Sequence, residues 1–158
     1  DPTPDEQNAI WTAKKIKSLA RKKLEKPFFL AVGFLRPHTP LIAPQKYFDR
    51  FPIDQIEITV KKQNDQQDSY LEISYAKDQG FALQLGKKMF NQIAASYGSE
   101  TEGLKRWTQA YLACVAAVDE NVGQVLDALD GTHLKDNTIV VLASDHGFHM
   151  GEKDYLYK

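Results

Sequence analysis

The chain has 158 residues, of which 42% are hydrophobic and 26% are charged, and this balance is typical of a folded globular protein. Its formal net charge of -1 provides no basic field, which argues against a nucleic-acid partner. The single cysteine excludes an internal disulfide framework and a thiolate metal site, and no apolar stretch approaches the roughly 20 residues that span a membrane.

A helix is predicted near the start of the chain. The series Thr3-Pro4-Asp5-Glu6 combines an N-cap residue, a proline at the first helical position and a glutamate three residues after the cap. Apolar residues at helical spacing continue the pattern until Pro27, which cannot extend a helix. The lysine-rich opposite side indicates a solvated helix surface.

An apolar run and a proline-rich loop follow this helix. Residues 28–34, FFLAVGF, are short and rich enough in β-forming residues to predict a central strand. Residues 35–44 contain three prolines, which fix the backbone of the loop that carries Arg36 and His38. These two side chains could present cationic donors to an oxyanion, although local sequence alone favours an ordinary surface loop with a solvated arginine.

The middle of the chain carries no chemical motif. A short helical turn is predicted at 47–51 and a short extended piece at 53–60. The polar segment 61–69, KKQNDQQDS, predicts an exposed excursion of poor order. An amphipathic helix is predicted within 74–97, and its inward residues are Phe81, Leu85, Met89, Phe90 and Ile93.

The longest helical pattern runs from Leu104 to Leu129. Cys114 lies on its apolar side and is predicted to be a small buried core residue. Asp119 and Glu120 point about 100° apart on a helix, so solvated positions are predicted rather than a catalytic pair. The other residues of the predicted inward stripe are Trp107, Tyr111, Leu112, Val115, Val118, Val122, Val125 and Leu126.

The last stretch, residues 138–158, reads TIVVLASDHGFHMGEKDYLYK and contains the most informative motif. Its apolar run 139–143 predicts a buried parallel strand whose carboxyl end delivers polar side chains to the edge where open α/β sheets bind ligands. A carboxylate and an imidazole adjacent in sequence can turn toward one ion, so Asp145 and His146 are candidate metal ligands. A polar turn after a strand explains the same residues.

Helix, short loop and strand follow one another in the order of a parallel sheet. The predicted fold class is therefore α/β, with a mostly parallel sheet flanked by helices. Residues 1–158 are predicted to be part of a single domain, with a polar excursion at 61–69.

Two blocks of the sequence resemble the sulfatase family. One is GFLRPHTPLIAPQKYFDRF, and the other is YLACVAAVDENVGQVLDALD followed by NTIVVLASDHGFHMGEK. They cover about half of the chain in the family's order, and DHGFHMGE is most similar to the iduronate-2-sulfatase-like branch. The resemblance implies a sulfatase-like catalytic domain with an alkaline-phosphatase-like α/β fold, here incomplete. It also implies hydrolysis of sulfate esters with a divalent cation, usually calcium in this branch.

The resemblance implies roles for individual residues. Asp145 and His146 correspond to metal ligands of the family. His38 corresponds to a histidine that contacts the sulfate, and Lys158 to a lysine that does so near the leaving-group oxygen. The loops around His38 and Asp145 are therefore predicted to converge on one pocket for a cation and an oxyanion. His149 matches the branch but receives no role.

Other parts of the family's site have no counterpart in the sequence. The family nucleophile is a hydrated formylglycine, made from the cysteine of a Cys-x-Pro-Ser-Arg motif that does not occur here. Cys114 is followed by Val-Ala-Ala and is not that cysteine. The chain is therefore predicted to be an interior fragment that is inactive alone and needs the missing N- and C-terminal parts of the same protein. Lys153 and Asp154 stand where His-Gly is more usual in the substrate-facing loop.

Two further functions stay open. A phosphoester or phosphonoester hydrolase of the same superfamily makes similar geometric demands, and a noncatalytic α/β module could retain half of an anion site. For the sulfatase hypothesis, sulfated sugars are a candidate substrate class. The resemblance also implies export to a periplasm, a lysosome or the extracellular medium, although the sequence shows no signal peptide.

Overall fold

The computed structural model describes the backbone of residues 1–67 and 81–158, and the side chains of these ranges apart from 81–84. Its α-helices are α1 (Pro4–Ala20), α2 (Gln45–Phe48), α3 (Phe81–Ala95) and α4 (Glu100–Asp130). Short 3-10 helices occupy Ile53–Gln55, His133–Asn137 and Glu152–Asp154. The chain divides into a first unit of Asp1–Arg50 and Tyr111–Leu142 and a second unit of Phe51–Ala110 and Ala143–Lys158.

The predicted α/β fold with an alkaline-phosphatase-like parallel sheet is wrong for the described residues, because no strand occurs among them. The apolar runs 28–34 and 139–143 are irregular, and within them Phe29 is 94% exposed and Ile139 is 93% exposed. A strand needs a neighbouring backbone about 4.8 Å away to receive its hydrogen bonds. A β-forming composition does not supply that partner.

The start of α1 confirms the predicted capping box. Thr3 Oγ1 accepts a hydrogen bond from the Glu6 backbone N–H at 3.3 Å, and the Glu6 carboxylate accepts one from Thr3 N–H at 2.6 Å. The predicted end at Pro27 is wrong, since α1 ends at Ala20. Leu24 is partly exposed, so the apolar side of the helix has no buried contact that would extend it through the charged residues 21–26.

The predicted long helix is confirmed as α4, but its buried side differs from the predicted stripe. Val115 and Leu126 are exposed, whereas Cys114 is fully buried, as predicted. Small side chains let a neighbouring segment approach closely, which a pattern of large apolar residues does not reveal. Asp119 and Glu120 are exposed, as predicted. The buried residues around Cys114 are Ala113, Ala116 and Ala117.

The second unit has a core of Phe90, Leu104 and Leu156. The predicted amphipathic helix is confirmed as α3, which directs Phe90 inward, while its predicted residues 74–80 lie outside the described residues. The final segment of the chain packs directly on α3 at Gly86. A Cβ atom at Gly86 would lie 2.2 Å from Tyr155 Cζ, and Leu156 N–H donates to the Gly86 carbonyl at 3.1 Å.

The polar excursion predicted at 61–69 stays a prediction: Lys62, Gln63, Asn64 and Gln67 are exposed, and 68 and 69 lie outside the described residues. Lys61, Asp65 and Gln66 are half-buried and contact the segment around Asp154. Their polar composition reflects ion pairing within the second unit, which a count of apolar residues does not detect.

Among the described residues, no helix combines the length and the hydrophobicity needed to cross a lipid bilayer.

Candidate functional site

The loop that carries His38 belongs to the first unit and is held by a side chain of α1. Both oxygens of the Asp5 carboxylate accept backbone hydrogen bonds, from Leu35 N–H at 2.8 Å and from Arg36 N–H at 3.0 Å. Asp5 is 6% exposed. Two bonds from adjacent amides to one buried carboxylate fix the point where the loop begins.

The Arg36 side chain also holds this loop, through hydrogen bonds to two of its carbonyl groups. Its Nε donates to the Ile42 carbonyl at 2.8 Å, and its Nη1 donates to the His38 carbonyl at 3.1 Å. The Arg36-Pro37 and Thr39-Pro40 peptide bonds are cis. Arg36 therefore connects the beginning, middle and end of the loop, and the oxyanion hypothesis for this loop depends on His38.

The His38 side chain is exposed, and its tautomer is set locally. Its Nδ1 lies 2.6 Å from the Thr39 carbonyl oxygen, which can only accept a hydrogen bond, so Nδ1 carries the proton. The Nε2 atom is then the position at which His38 can contact a ligand.

Asp145 and His146 lie together in the second unit, in an irregular segment open to solvent. His146 Nε2 is 3.3 Å from Asp145 Oδ2, and the Asp145 side chain is 85% exposed. Asp145 Oδ1 also accepts the His146 backbone N–H at 3.0 Å, and His146 Nδ1 lies 2.7 Å from the Gly147 carbonyl. These are turn contacts, and they leave the Asp145 side chain largely exposed to solvent.

This pair has the donor chemistry of a cation site. Because His146 Nδ1 donates to a carbonyl, Nε2 of the neutral ring is an acceptor, and it faces the acceptor Oδ2 of Asp145. Two acceptors at this distance are stable when a cation or a proton lies between them. Oxygen ligands of calcium, about 2.3–2.6 Å from the ion and at right angles, lie about 3.3–3.7 Å apart, and the separation of 3.3 Å between Asp145 Oδ2 and His146 Nε2 lies at the lower end of this range.

The pair supplies only part of a coordination shell. Within residues 1–67 and 81–158, no group of three or more His, Cys, Asp or Glu side chains could hold a metal ion. Calcium takes about six to eight oxygen ligands. Asp145 and His146 alone therefore do not make a complete calcium site.

The segment after this pair is folded back on itself. His149 Nδ1 lies 2.7 Å from Glu152 Oε1, and Glu152 Oε2 accepts the Met150 backbone N–H at 2.9 Å. The His149 backbone N–H donates to the Tyr157 carbonyl at 2.8 Å, and the His149 ring meets the Tyr155 ring edge-on at 5.3 Å. Glu152 therefore fixes the orientation of the His149 ring. Lys158, farther along the same segment, is exposed.

The four candidate residues are distributed over the two units. His38 lies in the first unit, and Asp145, His146 and Lys158 lie in the second. The structure brings Asp145 and His146 into contact. The convergence of their loop with that of His38 stays a prediction.

Sequence reasoning missed two residues that organise these loops, Asp5 and Glu152. In the sequence, Asp5 is visible only as an acidic residue in the first turn of α1, since its partners lie 30 and 31 residues away. Glu152 stands three residues after His149, a spacing at which a carboxylate often holds an imidazole, and this signal was available.

Asp5→Ala should destabilise the first unit and loosen the His38 loop. The substitution leaves the backbone N–H groups of residues 35 and 36 without their acceptor, at a cost of about 1–3 kcal/mol. Thermal unfolding of the full-length protein and limited proteolysis of residues 36–44 measure the two effects. Asp49→Ala removes an exposed carboxylate as the matched control, and equal behaviour of both variants would refute the anchoring role of Asp5.

Comparison with known proteins gives a consistent family. The sequence model of the family described as Sulfatase matches residues 5–158. A protein of Formosa agariphila named Sulfatase is 37% identical over 95% of this chain and 27% of its own length. Iduronate 2-sulfatase of Mus musculus is 34% identical over 94% of this chain and 26% of its own length.

A more distant relative is the multifunctional alkaline phosphatase superfamily protein PehA of Trinickia caryophylli, which is 26% identical over 84% of this chain and 26% of its own length. No solved structure gives a significant match. The chain spans about a quarter of the length of the curated relatives named here. On the family match and these identities, the chain belongs to the sulfatase family.

Proposed function

We propose that the protein containing this chain hydrolyses sulfate esters at a site that binds a divalent cation. Family membership supports the reaction class. Cation binding is supported by one observation, the exposed pair of acceptors Asp145 Oδ2 and His146 Nε2, which lie 3.3 Å apart. The similarity to iduronate 2-sulfatase supports sulfated sugars as the substrate class.

Asp145 and His146 hold the cation in this proposal, and calcium suits the hard carboxylate oxygen. When bound, such a cation polarises a sulfate oxygen and offsets negative charge that develops there. The exposed position of both side chains supports this role, because ligands from the rest of the protein can reach them.

His38 and Lys158 supply cationic donors to the substrate. With His38 Nδ1 donating to the Thr39 carbonyl, Nε2 of the protonated ring donates to a sulfate oxygen. The Lys158 ammonium donates to the leaving-group oxygen. Both contacts strengthen as charge develops on oxygen in the transition state, which is how a charged donor accelerates hydrolysis.

The nucleophile is proposed to be a formylglycine in a part of the protein outside these 158 residues. Cys114 does not fit this role, because it is followed by Val-Ala-Ala instead of the family motif and is fully buried on α4. The 158-residue chain is therefore proposed to be inactive alone.

A second candidate is phosphoester hydrolysis. The similarity to PehA, whose name places it in the alkaline phosphatase superfamily, favours this alternative. Sulfate and phosphate esters both present tetrahedral anions to a cation and to charged donors, so the residues described above fit either ester.

The test uses the full-length protein with 4-nitrophenyl sulfate and 4-nitrophenyl phosphate, each with and without EDTA. Sulfate release that falls at least about tenfold with EDTA and returns with excess calcium is the expected result. Release of phosphate alone would establish the second candidate. Release of neither anion from these esters together with no sulfate release from a sulfated sugar, or sulfate release indifferent to EDTA, would overturn the proposed metal-dependent sulfatase.

A further inference from the structure

The turn 151–154 of the second unit has an unusual backbone. Gly151 has a φ of 114°, Lys153 of 56° and Asp154 of 54°. The left-handed region is unfavourable for most residues with a Cβ atom and is tolerated by aspartate, so Lys153 adopts the conformation that the turn favours least by itself. Contacts from outside the turn add to its own backbone hydrogen bonds.

Those contacts come from Lys61, Asp65 and Gln66, which we name the clamp. Lys61 Nζ lies 2.5 Å from Asp154 Oδ1, and the Gln66 side chain donates to the other oxygen of the same carboxylate. Lys153 Nζ donates to the Asp65 carbonyl at 2.8 Å and to Asp65 Oδ1 at 3.2 Å. The clamp therefore contacts both of the left-handed residues that carry side chains.

The clamp is attached to the helices of the second unit. Lys61 Nζ also lies 2.6 Å from Glu100 Oε1 at the start of α4, and 4.4 Å from the ring centroid of Phe90 on α3. Burial lowers the pKa of Lys61, but hydrogen bonds to Asp154 and Glu100 outweigh burial and hold the pKa above its usual value. Side-chain exposures of 19–30% for Lys61, Asp65, Lys153 and Asp154 leave these pairs less screened than surface pairs.

The turn 151–154 also fixes the residues on either side of it. It contains Glu152, which holds His149 and the backbone of Met150. Gly151 N–H donates to the Tyr155 carbonyl at 3.1 Å, which ties the incoming and outgoing sides of the turn together. The outgoing side leads directly to Lys158.

We propose that Lys61, Asp65 and Gln66 are positioning residues, which hold the turn 151–154 so that His149 and Lys158 are presented to the substrate in one arrangement. This inference rests on the proposed function, which places Lys158 at the substrate. The inference adds His149 to the same site. The clamp acts through the turn and touches no substrate. Its loss lowers the fraction of molecules whose site is ready to bind.

Lys153→Gly separates positioning from stability. Glycine adopts a φ of 56° without strain, and this gain offsets the loss of both contacts to Asp65 and the greater freedom of glycine in the unfolded chain, so the unfolding temperature changes little. If only about a tenth to a fifth of the molecules keep the turn in place, KM rises about five- to tenfold while kcat changes less than about twofold. Asp65→Asn removes the charge alone and should raise KM in the same direction by a smaller factor.

The reciprocal exchange of Asp65→Lys with Lys153→Asp provides the rescue. It restores an ion pair of reversed polarity and places aspartate, which tolerates the left-handed region, at position 153. KM of the double variant should lie closer to the wild-type value than KM of Asp65→Lys alone or of Lys153→Asp alone. Lys46→Met is the matched control, because it removes an exposed lysine paired with Glu120 at 2.7 Å in the first unit, and its KM should not change.

Hydrogen exchange makes the test independent of catalysis. In the full-length protein, Lys153→Gly and Asp65→Asn should accelerate amide exchange within 149–157 and leave α1 unchanged. Absence of sulfate release by the wild type would count against the proposed function alone, and exchange would still decide whether the clamp holds the turn. Unchanged exchange, or a raised exchange with an unchanged KM in an active enzyme, would overturn the positioning role.

Discussion

Asp145→Asn should reduce sulfate release by the full-length protein at least about a thousandfold and abolish retention of the cation. The amide keeps the shape of the carboxylate but removes its negative charge from direct contact with the ion. His146 Nε2 then faces a neutral group at the position now occupied by Asp145 Oδ2, 3.3 Å away. Steady-state kinetics measures the first effect, and elemental analysis of the purified variant measures the second.

The fold should tolerate this substitution, because the Asp145 side chain is 85% exposed and exposed substitutions usually change stability by less than about 0.5 kcal/mol. Asp127→Asn, which removes the same charge from an exposed position on α4, is the matched control and should keep both the cation and the activity. An Asp145→Asn enzyme with full activity and a normal calcium content would remove Asp145 from the metal site.

Local signals explain what the sequence could predict of the fold. The capping box at Thr3 and Glu6 depends on residues three apart, and the structure contains both of its hydrogen bonds. The helices α3 and α4 follow from apolar spacing within single segments. Such features require no knowledge of distant residues, and for this reason they were predictable.

The strand predictions failed because pairing is not a local property. Runs 28–34 and 139–143 have the composition of buried strands, but neither pairs with a strand among the described residues, and side chains such as Phe29 and Ile139 are exposed. In the first run, the helix α1 offers side-chain partners instead. Asn8 Nδ2 donates to the Gly33 carbonyl at 3.0 Å, and the Asp5 carboxylate binds the two amides that follow Phe34.

The candidate site likewise contains local features that the sequence could predict and long-range contacts that it could not. Asp145 and His146 were recognisable as neighbours in sequence whose chemistry suits one ion, and the structure places them in contact. The anchors of the two loops were not recognisable, since Asp5 and the clamp act over 30 or more residues. A polar segment such as 61–67 has the same composition whether its side chains are solvated or form ion pairs. Only the contacts in the structure distinguish these two states.

His38→Ala should lower kcat/KM for the sulfate ester about 10²–10³-fold in the full-length protein, with most of the loss in kcat. The reason is that a charged donor to a sulfate oxygen gains strength as charge develops in the transition state. His38 itself is exposed and donates only to the neighbouring Thr39 carbonyl through its ring, so its removal should leave the unfolding temperature unchanged.

His133→Ala is the matched control, because His133 is exposed in the 3-10 helix His133–Asn137 of the same unit, and its kcat/KM should equal that of the wild type. Asp5→Asn completes the series, since an amide keeps one of the two acceptors that hold the loop and should lower kcat/KM less than His38→Ala does. The order wild type, Asp5→Asn, His38→Ala in falling activity would mean that the loop works through His38. A His38→Ala enzyme within about threefold of the wild type would instead assign the sulfate contact to another residue.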